Sequence, residues 1–233
     1  MYFGGFYFDI YYFILVVPVL IVSLIIQSKL NSTFKKYSKT GNMRNITGAQ
    51  AADMVLRYYN IQDVRIEHIN GNLTDCYDPI NKVIKLSDAV YNNPSIAAVG
   101  VACHEAGHAA QYAEKYVPIK IRNSILPVCN LGSKLSIPLL LLGLFLAFEP
   151  LIWVGIGFFA FTAIFQFITL PVEFNASNRA INVIESTGIL SYEEKQGASK
   201  VLKMAAMTYV ASLAMSLAQL LRLILRFGGN RRR

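Results

Sequence analysis

The sequence predicts an α+β membrane protein, mainly helical, with a small β-sheet next to a helix that carries His104-Glu105-Ala106-Gly107-His108. Three observations carry this. Hydrophobic residues make up 54% of the 233 residues and charged ones only 15%, against about 25% in a soluble domain. Uncharged runs approach or exceed the roughly 17–25 residues that cross a bilayer. Between them, residues 45–122 mix helical periodicity with short alternating segments. This composition excludes a disordered chain and argues against an ordinary soluble enzyme.

Residues 10–26 carry no charge, with no basic stretch before them and no small-residue cleavage site after. They predict an uncleaved anchor rather than a signal peptide. The tyrosines and phenylalanines ahead of the run suit a headgroup belt. Lys29, Lys35, Lys36, Lys39 and Arg44 follow at once, while residues 1–9 hold neither Lys nor Arg. The positive-inside bias therefore puts the N-terminus outside and residue 29 onward inside. Cytoplasmic loops account for the net charge of +8 better than nucleic acid, for which no motif is present. Cys76, Cys103 and Cys129 are an odd set without C-x-x-C spacing, which fits a reducing compartment.

Thr47 is placed to cap a helix from Gly48 to about Tyr59. Val64-Arg-Ile-Glu-His-Ile69 alternates with period two and ends at Asn70-Gly71, so a strand and a turn are expected. Asp78-Pro79-Ile80-Asn81 marks a second turn, before a strand over residues 82–86. Asn93 or Ser95 caps the next helix, with Pro94 suited to a first-turn position, and that helix runs to about Glu114. Residues 135–170 are apolar apart from Glu149, Gln166 and small polar residues, and Glu149-Pro150 breaks them. A transmembrane hairpin is predicted, its first arm starting nearer Leu126, with a new helix after it that holds Glu173 in its first turns. From residue 205 on, Thr208, Ser212, Ser216, Gln219, Arg222 and Arg226 form a polar stripe. Two placements stand open for this last segment. It crosses the membrane and packs through small residues, or it lies in the interface, which a cytoplasmic Arg231-Arg-Arg233 favours.

On a helix, His104 and His108 lie one turn apart on one face, so both imidazoles can reach one ion. Glu105 stands about a third of a turn around, able to touch a water on that ion without being a ligand. A catalytic zinc usually takes three protein ligands and keeps one position open. For the third, His68 stands alone on a predicted strand. Glu173 has the better context, since two crossings of the hairpin return the chain to the side of His108. The expected chemistry is a water activated by zinc on His104, His108 and Glu173, with Glu105 as general base.

HEAGH, the hairpin after it and Glu173-Phe-Asn-Ala-Ser-Asn-Arg-Ala180 resemble the membrane zinc metallopeptidases of gluzincin type. The YugP-like bacterial group is most similar, the HtpX and Ste24-like proteases more distantly so. The resemblance also takes in Leu73-Thr-Asp-Cys-Tyr-Asp-Pro79, Lys82-Val-Ile-Lys-Leu-Ser87 and residues 180–190. It implies an integral-membrane zinc metalloendopeptidase of the bacterial plasma membrane, with one Zn2+ per chain. The wider relatives read E-x-x-A-D at the third ligand. Here Glu173 and Ala176 match, and Ser177 stands where the Asp would orient a ligand histidine. Ser177 can substitute by hydrogen bonding, or a backbone carbonyl can. Arg179 and Tyr77 are the candidates for the oxyanion donor. The resemblance further suggests that an extended polypeptide substrate pairs with an edge strand at Val83, Ile84, Lys85 and Leu86.

The resulting plan has an anchor (1–28), a peptidase part with the HExxH helix (29–124), a transmembrane hairpin (125–170), a third-ligand region (171–204) and a C-terminal apolar helix with a basic tail (205–233). Its zinc site is cytoplasmic. Its partners are the lipid bilayer and a polypeptide, not nucleic acid, and its oligomeric state is open. Two rival readings are an intramembrane zinc protease and an inactive membrane quality-control adaptor.

Overall fold

The computed structural model describes residues 9–228. The aromatic residues ahead of the anchor and the terminal arginines lie outside them. The order of elements is a π-helical turn (Tyr12–Val16), α1 (Val17–Ser38), α2 (Gly48–Tyr58), β1 (Arg65–Ile69), β2 (Cys76–Asp78), β3 (Val83–Ser87), α3 (Ile96–Ala113), α4 (Val117–Phe145), α5 (Glu149–Thr187) and α6 (Tyr192–Gly228). The protein is mainly helical with one small sheet. Among the described residues, four helical segments are long and apolar enough to cross a membrane: Tyr12–Ser38, Val117–Phe145, Glu149–Thr187 and Tyr192–Gly228. The chain forms two compact units, each discontinuous in sequence.

The first unit holds described residues 9–26, 120–170 and 208–228. Its helices bury little. Ile10, Phe13, Ile14, Ile21, Val22, Leu24 and Ile25 all face outward, as a lipid-bathed helix requires. Leu140, Ile152, Ile156 and Leu223 make a small packed cluster with Leu144, Trp153, Phe159, Leu220 and Phe227. Small residues bring these helices close: a Cβ on Gly143 would meet the Ile152 nitrogen at 2.8 Å. Two members of the polar stripe, Arg222 and Arg226, pair with one carboxylate. Arg222 donates to Asp9 through Nε (3.0 Å) and Nη2 (2.9 Å), and Arg226 donates through Nη1 (2.6 Å). Asp9 in turn accepts from the Tyr12 backbone (2.8 Å) at the start of the first helix. The beginning of the anchor and the end of α6 therefore lie side by side.

The second unit holds residues 27–119 and 171–207. Thr47 and Gln50 form a reciprocal capping box on α2. Ala51 and Ala52 of α2 and Ala102, Ala106, Ala109 and Ala110 of α3 are fully or almost fully buried, so small side chains let these helices approach closely. Ser95 caps α3, accepting from the Ala98 nitrogen at 3.2 Å, while Asn93 accepts from the Ser95 nitrogen at 3.0 Å. Pro94 thus precedes the cap rather than opening the helix. After α3, Lys115 takes a left-handed conformation (φ 54°) and α4 starts two residues later.

The sheet corrects one expectation. Its order is β1-β3-β2, with β1 parallel and β2 antiparallel to β3. Val83, Ile84, Lys85 and Leu86 therefore lie on the central strand, with both edges already paired. Four of the five residues of β3 are buried, the signature of an inner strand. The open edges belong to β1 and β2. Strand β2 was not anticipated, because three residues ending in Asp carry no periodicity. It exists because Asp78 folds the chain back, accepting from the Ile80 and Asn81 nitrogens at 3.1 Å each.

The hairpin arms are also longer than the apolar runs suggested. Helix α4 begins at Val117, well before Leu126, and runs through Pro127 and Pro138. Helix α5 continues through Pro171 to Thr187. Glu173 accordingly sits inside a 39-residue helix, not in the first turn of a new one, and no helix dipole accounts for it. Proline interrupts such helices less than soluble ones because neighbouring groups satisfy the freed carbonyl.

Candidate metal centre

The centre lies within the second unit, between α3 and the second half of α5. On α3, His104 and His108 stand one turn apart with ring centroids 4.8 Å apart, nearly perpendicular. Across from them, Glu173 Oε2 lies 3.4 Å from His104 Nε2 and 3.6 Å from His108 Nε2. Glu173 is 3% exposed, and its Oε2 has no hydrogen-bond partner. A buried carboxylate oxygen without a partner costs several kcal/mol or more unless a cation satisfies it.

The spacing has room for a small metal ion. Distances of 3.4 and 3.6 Å exceed an ordinary hydrogen bond. They fall within the range of a tetrahedral edge, about 3.3–3.6 Å for ligand bonds of 2.0–2.2 Å around zinc. Two imidazoles and one carboxylate also suit a borderline metal. Among the described residues, His104, His108 and Glu173 form the group whose donor atoms all lie within 4.8 Å of one another. His68 is elsewhere, bonded to Asp88 at 2.7 Å and against the Tyr91 ring.

Hydrogen bonds behind the triad fix which nitrogen faces it. Arg179 has only donors, and its Nε reaches Asn175 Oδ1 at 2.8 Å. The same Oδ1 accepts from Gln111 Nε2 at 3.0 Å, and Gln111 Nε2 also donates to the Val172 carbonyl at 2.8 Å. With its nitrogen so committed, Gln111 turns Oε1 toward His108 Nδ1, 3.0 Å away. Nδ1 must then carry the proton, and the Nε2 lone pair of neutral His108 points to Glu173. Ser177 Oγ stands 3.1 Å from His104 Nδ1 and can play the same part there. Gln111 and Asn175 escaped the sequence reading. A glutamine three residues after His108 shares its helix face, but glutamines on helices are usually solvated, and only α5 buries this one.

Burial opposes a charge on His108, yet the Glu173 and Glu105 carboxylates outweigh it and hold the imidazole above its ordinary pKa. Glu105, half-buried on the next face, makes no hydrogen bond or ion pair among the described residues. Arg179 is engaged on all sides: Nη1 pairs with Glu114 at 2.6 Å, and the rings of Tyr59 and Tyr116 flank the guanidinium. Tyr77, on β2, packs edge-on against Tyr112 of α3. Burial pushes its phenol up to about 12, so it remains an O–H donor at neutral pH.

A family model described as "Putative neutral zinc metallopeptidase" matches residues 12–228. The chain belongs to this metallopeptidase family. It is also 44% identical over 205 residues to the "Putative membrane protease YugP" of Bacillus subtilis (strain 168), covering 88% of this chain and 91% of that one. No solved structure matches. The family match spans both the group His104, His108 and Glu173 and the four apolar helices.

Proposed function

We propose that this chain is an integral-membrane zinc endopeptidase, with His104, His108 and Glu173 holding one zinc ion and Glu105 acting as general base. The observation that carries the proposal is the buried, unpartnered Glu173 Oε2 opposite two imidazole nitrogens. Zinc, when bound, supplies a Lewis acid that polarises the scissile carbonyl and brings a water's pKa toward neutrality. Glu105, unengaged by the protein, takes a proton from the attacking water and passes it to the leaving amine nitrogen. Gln111 and Ser177 keep the two imidazoles oriented. Tyr77 is the better oxyanion donor, because Arg179 already serves Glu114, Asn175 and two rings.

The substrate edge moves from the central strand to β2, whose outer edge is unpaired among the described residues. β2 lies against the zinc helix: Tyr77 touches Tyr112, and Glu105 helps raise the Cys76 thiol, after burial as the larger cause. An extended peptide added there would present its backbone to α3 with little sequence preference.

The zinc site is cytoplasmic on this reading. Lys29 to Arg44 follow the anchor, and the pairing of Asp9 with Arg222 and Arg226 supports α6 as a crossing helix rather than an interfacial one. An intramembrane protease fits less well, since α3 is not among the helices long and apolar enough to cross. An inactive adaptor would have no use for a free Glu105. The test is Glu105→Gln in the full-length protein reconstituted in lipid. Zinc content should equal that of the unaltered protein, and cleavage of a casein-type substrate should fall at least about a hundredfold. Near-normal turnover would remove the mechanism.

A further inference from the structure

Away from the triad, the second unit contains a half-open surface cavity of about 300 Å³ lined by Thr33, Lys36 and Tyr37 of α1 and Lys200, Lys203 and Met204 of α6. No carboxylate lines it. The ammonium groups of Lys36, Lys200 and Lys203 make no ion pair or hydrogen bond among the described residues. Lys36 lies 5.4 Å from the Tyr37 ring centre, which is a weak substitute for an anion. Three unneutralised cations around one cavity repel each other and raise its affinity for a negative group.

Two helices independently give the depth of this cavity. At 1.5 Å per residue, Thr33 to Tyr37 lie roughly 35–40 Å along the first helix from Ile10, just past a hydrocarbon core of about 30 Å. Along α6, Lys203 and Lys200 lie roughly 28 and 33 Å back from Arg222, which is paired with Asp9 at the other end. Both counts reach the level of the inner headgroups, where anionic lipids gather.

We propose that this cavity binds the phosphate of an anionic phospholipid headgroup, with Lys36, Lys200 and Lys203 as its charge partners and the Thr33 and Tyr37 hydroxyls as further donors. The site lies next to the start of the zinc helix: Tyr37 packs on Gly197 and is four residues before Gly41, which bridges to Ser95, the cap of α3. A seated headgroup would therefore brace α1 and α6 against the N-terminus of α3. The proposal rests on the crossing of the membrane by α1 and α6 and not on peptidase chemistry, so its test reads lipid binding while zinc content and proteolysis are followed separately.

Full-length protein in a neutral detergent is titrated with phosphatidylglycerol and, in parallel, with phosphatidylcholine and inorganic phosphate; bound lipid is counted by native mass spectrometry and stability by thermal unfolding. The unaltered protein should retain phosphatidylglycerol in preference to phosphatidylcholine and melt higher with it. Lys36→Gln/Lys200→Gln/Lys203→Gln should lose that retention by about tenfold or more. Lys29→Gln/Lys35→Gln/Lys39→Gln removes the same charge outside the cavity and should keep it. All six lysines are exposed and make no ion pair among the described residues, and circular dichroism checks the folding of both variants. Equal loss in the two variants would overturn the site in favour of diffuse charge. Equal protection by inorganic phosphate would overturn the lipid as its source, and no preference over phosphatidylcholine would overturn the proposal altogether.

Discussion

A Cβ at Gly107 would stand 2.7 Å from the carbonyl oxygen of Ala176. Helices α3 and α5 therefore touch backbone to backbone in the middle of the HEAGH motif. This contact sets the distance between the two histidines and the side chains of Glu173 and Ser177, which flank Ala176 on α5. Glycine is the worst helix former after proline, at about 1 kcal/mol relative to alanine, so its presence here reflects that contact.

Gly107→Ala should consequently destabilise the protein by about 1–3 kcal/mol, against the gain its helix propensity would bring. It should also weaken zinc binding, because α5 must move outward. Thermal unfolding and zinc content of the purified variant measure both. A higher melting temperature with full zinc would show that the helices are not in tight contact.

Glu173→Ala removes the anionic donor from the triad. Zinc affinity should fall by more than the roughly hundredfold upper end seen when only an outer hydrogen-bonding partner is lost. Chelation of the unaltered protein should lower its melting temperature, and zinc should restore it, since a ligand at a hundred times its Kd stabilises by about 2.7 kcal/mol. The variant should show no such response. A chelator-sensitive melting temperature in Glu173→Ala would move the third ligand elsewhere.

Gln111→Ala should lower zinc affinity about 10–100-fold, because His108 loses the acceptor that holds its proton on Nδ1. Excess zinc should recover most of the activity, separating an orienting role from a chemical one. Titration against a competing zinc chelator gives the affinity. Unchanged affinity would mean that the hydrogen bond between Gln111 and His108 only helps packing.

The pairing of Asp9 with Arg222 and Arg226 puts the end of α6 beside the start of the anchor. In a protein freed of its native cysteines, Phe227→Cys should react with a membrane-impermeant thiol reagent in intact cells, and Lys39→Cys should not. Asp9→Asn removes the carboxylate that both arginines share and should lower the melting temperature of the reconstituted protein. Protection of residue 227 together with labelling of residue 39 would reverse the orientation.

Much of this was legible along the chain because it is local. The apolar run of residues 10–26, the cap at Thr47 and the i, i+4 spacing of His104 and His108 depend on near neighbours in sequence, and periodicity reports them directly. The family resemblance was legible for the same reason, since HEAGH and the segment from Glu173 to Ala180 are contiguous. What tertiary structure decided is non-local. Strand order put residues 83–86 in the centre of the sheet, because β1 and the unforeseen β2 each claim one side of β3. The length of α5 put Glu173 inside a helix, because Pro171 did not break it. Gln111 and Asn175 became a proton-fixing chain only because α3 packs against α5, and Arg222 found Asp9 across 213 residues of sequence. Spacing along a chain fixes which side chains share a face; only packing fixes which faces meet, and the centre of this protein is made where two faces meet.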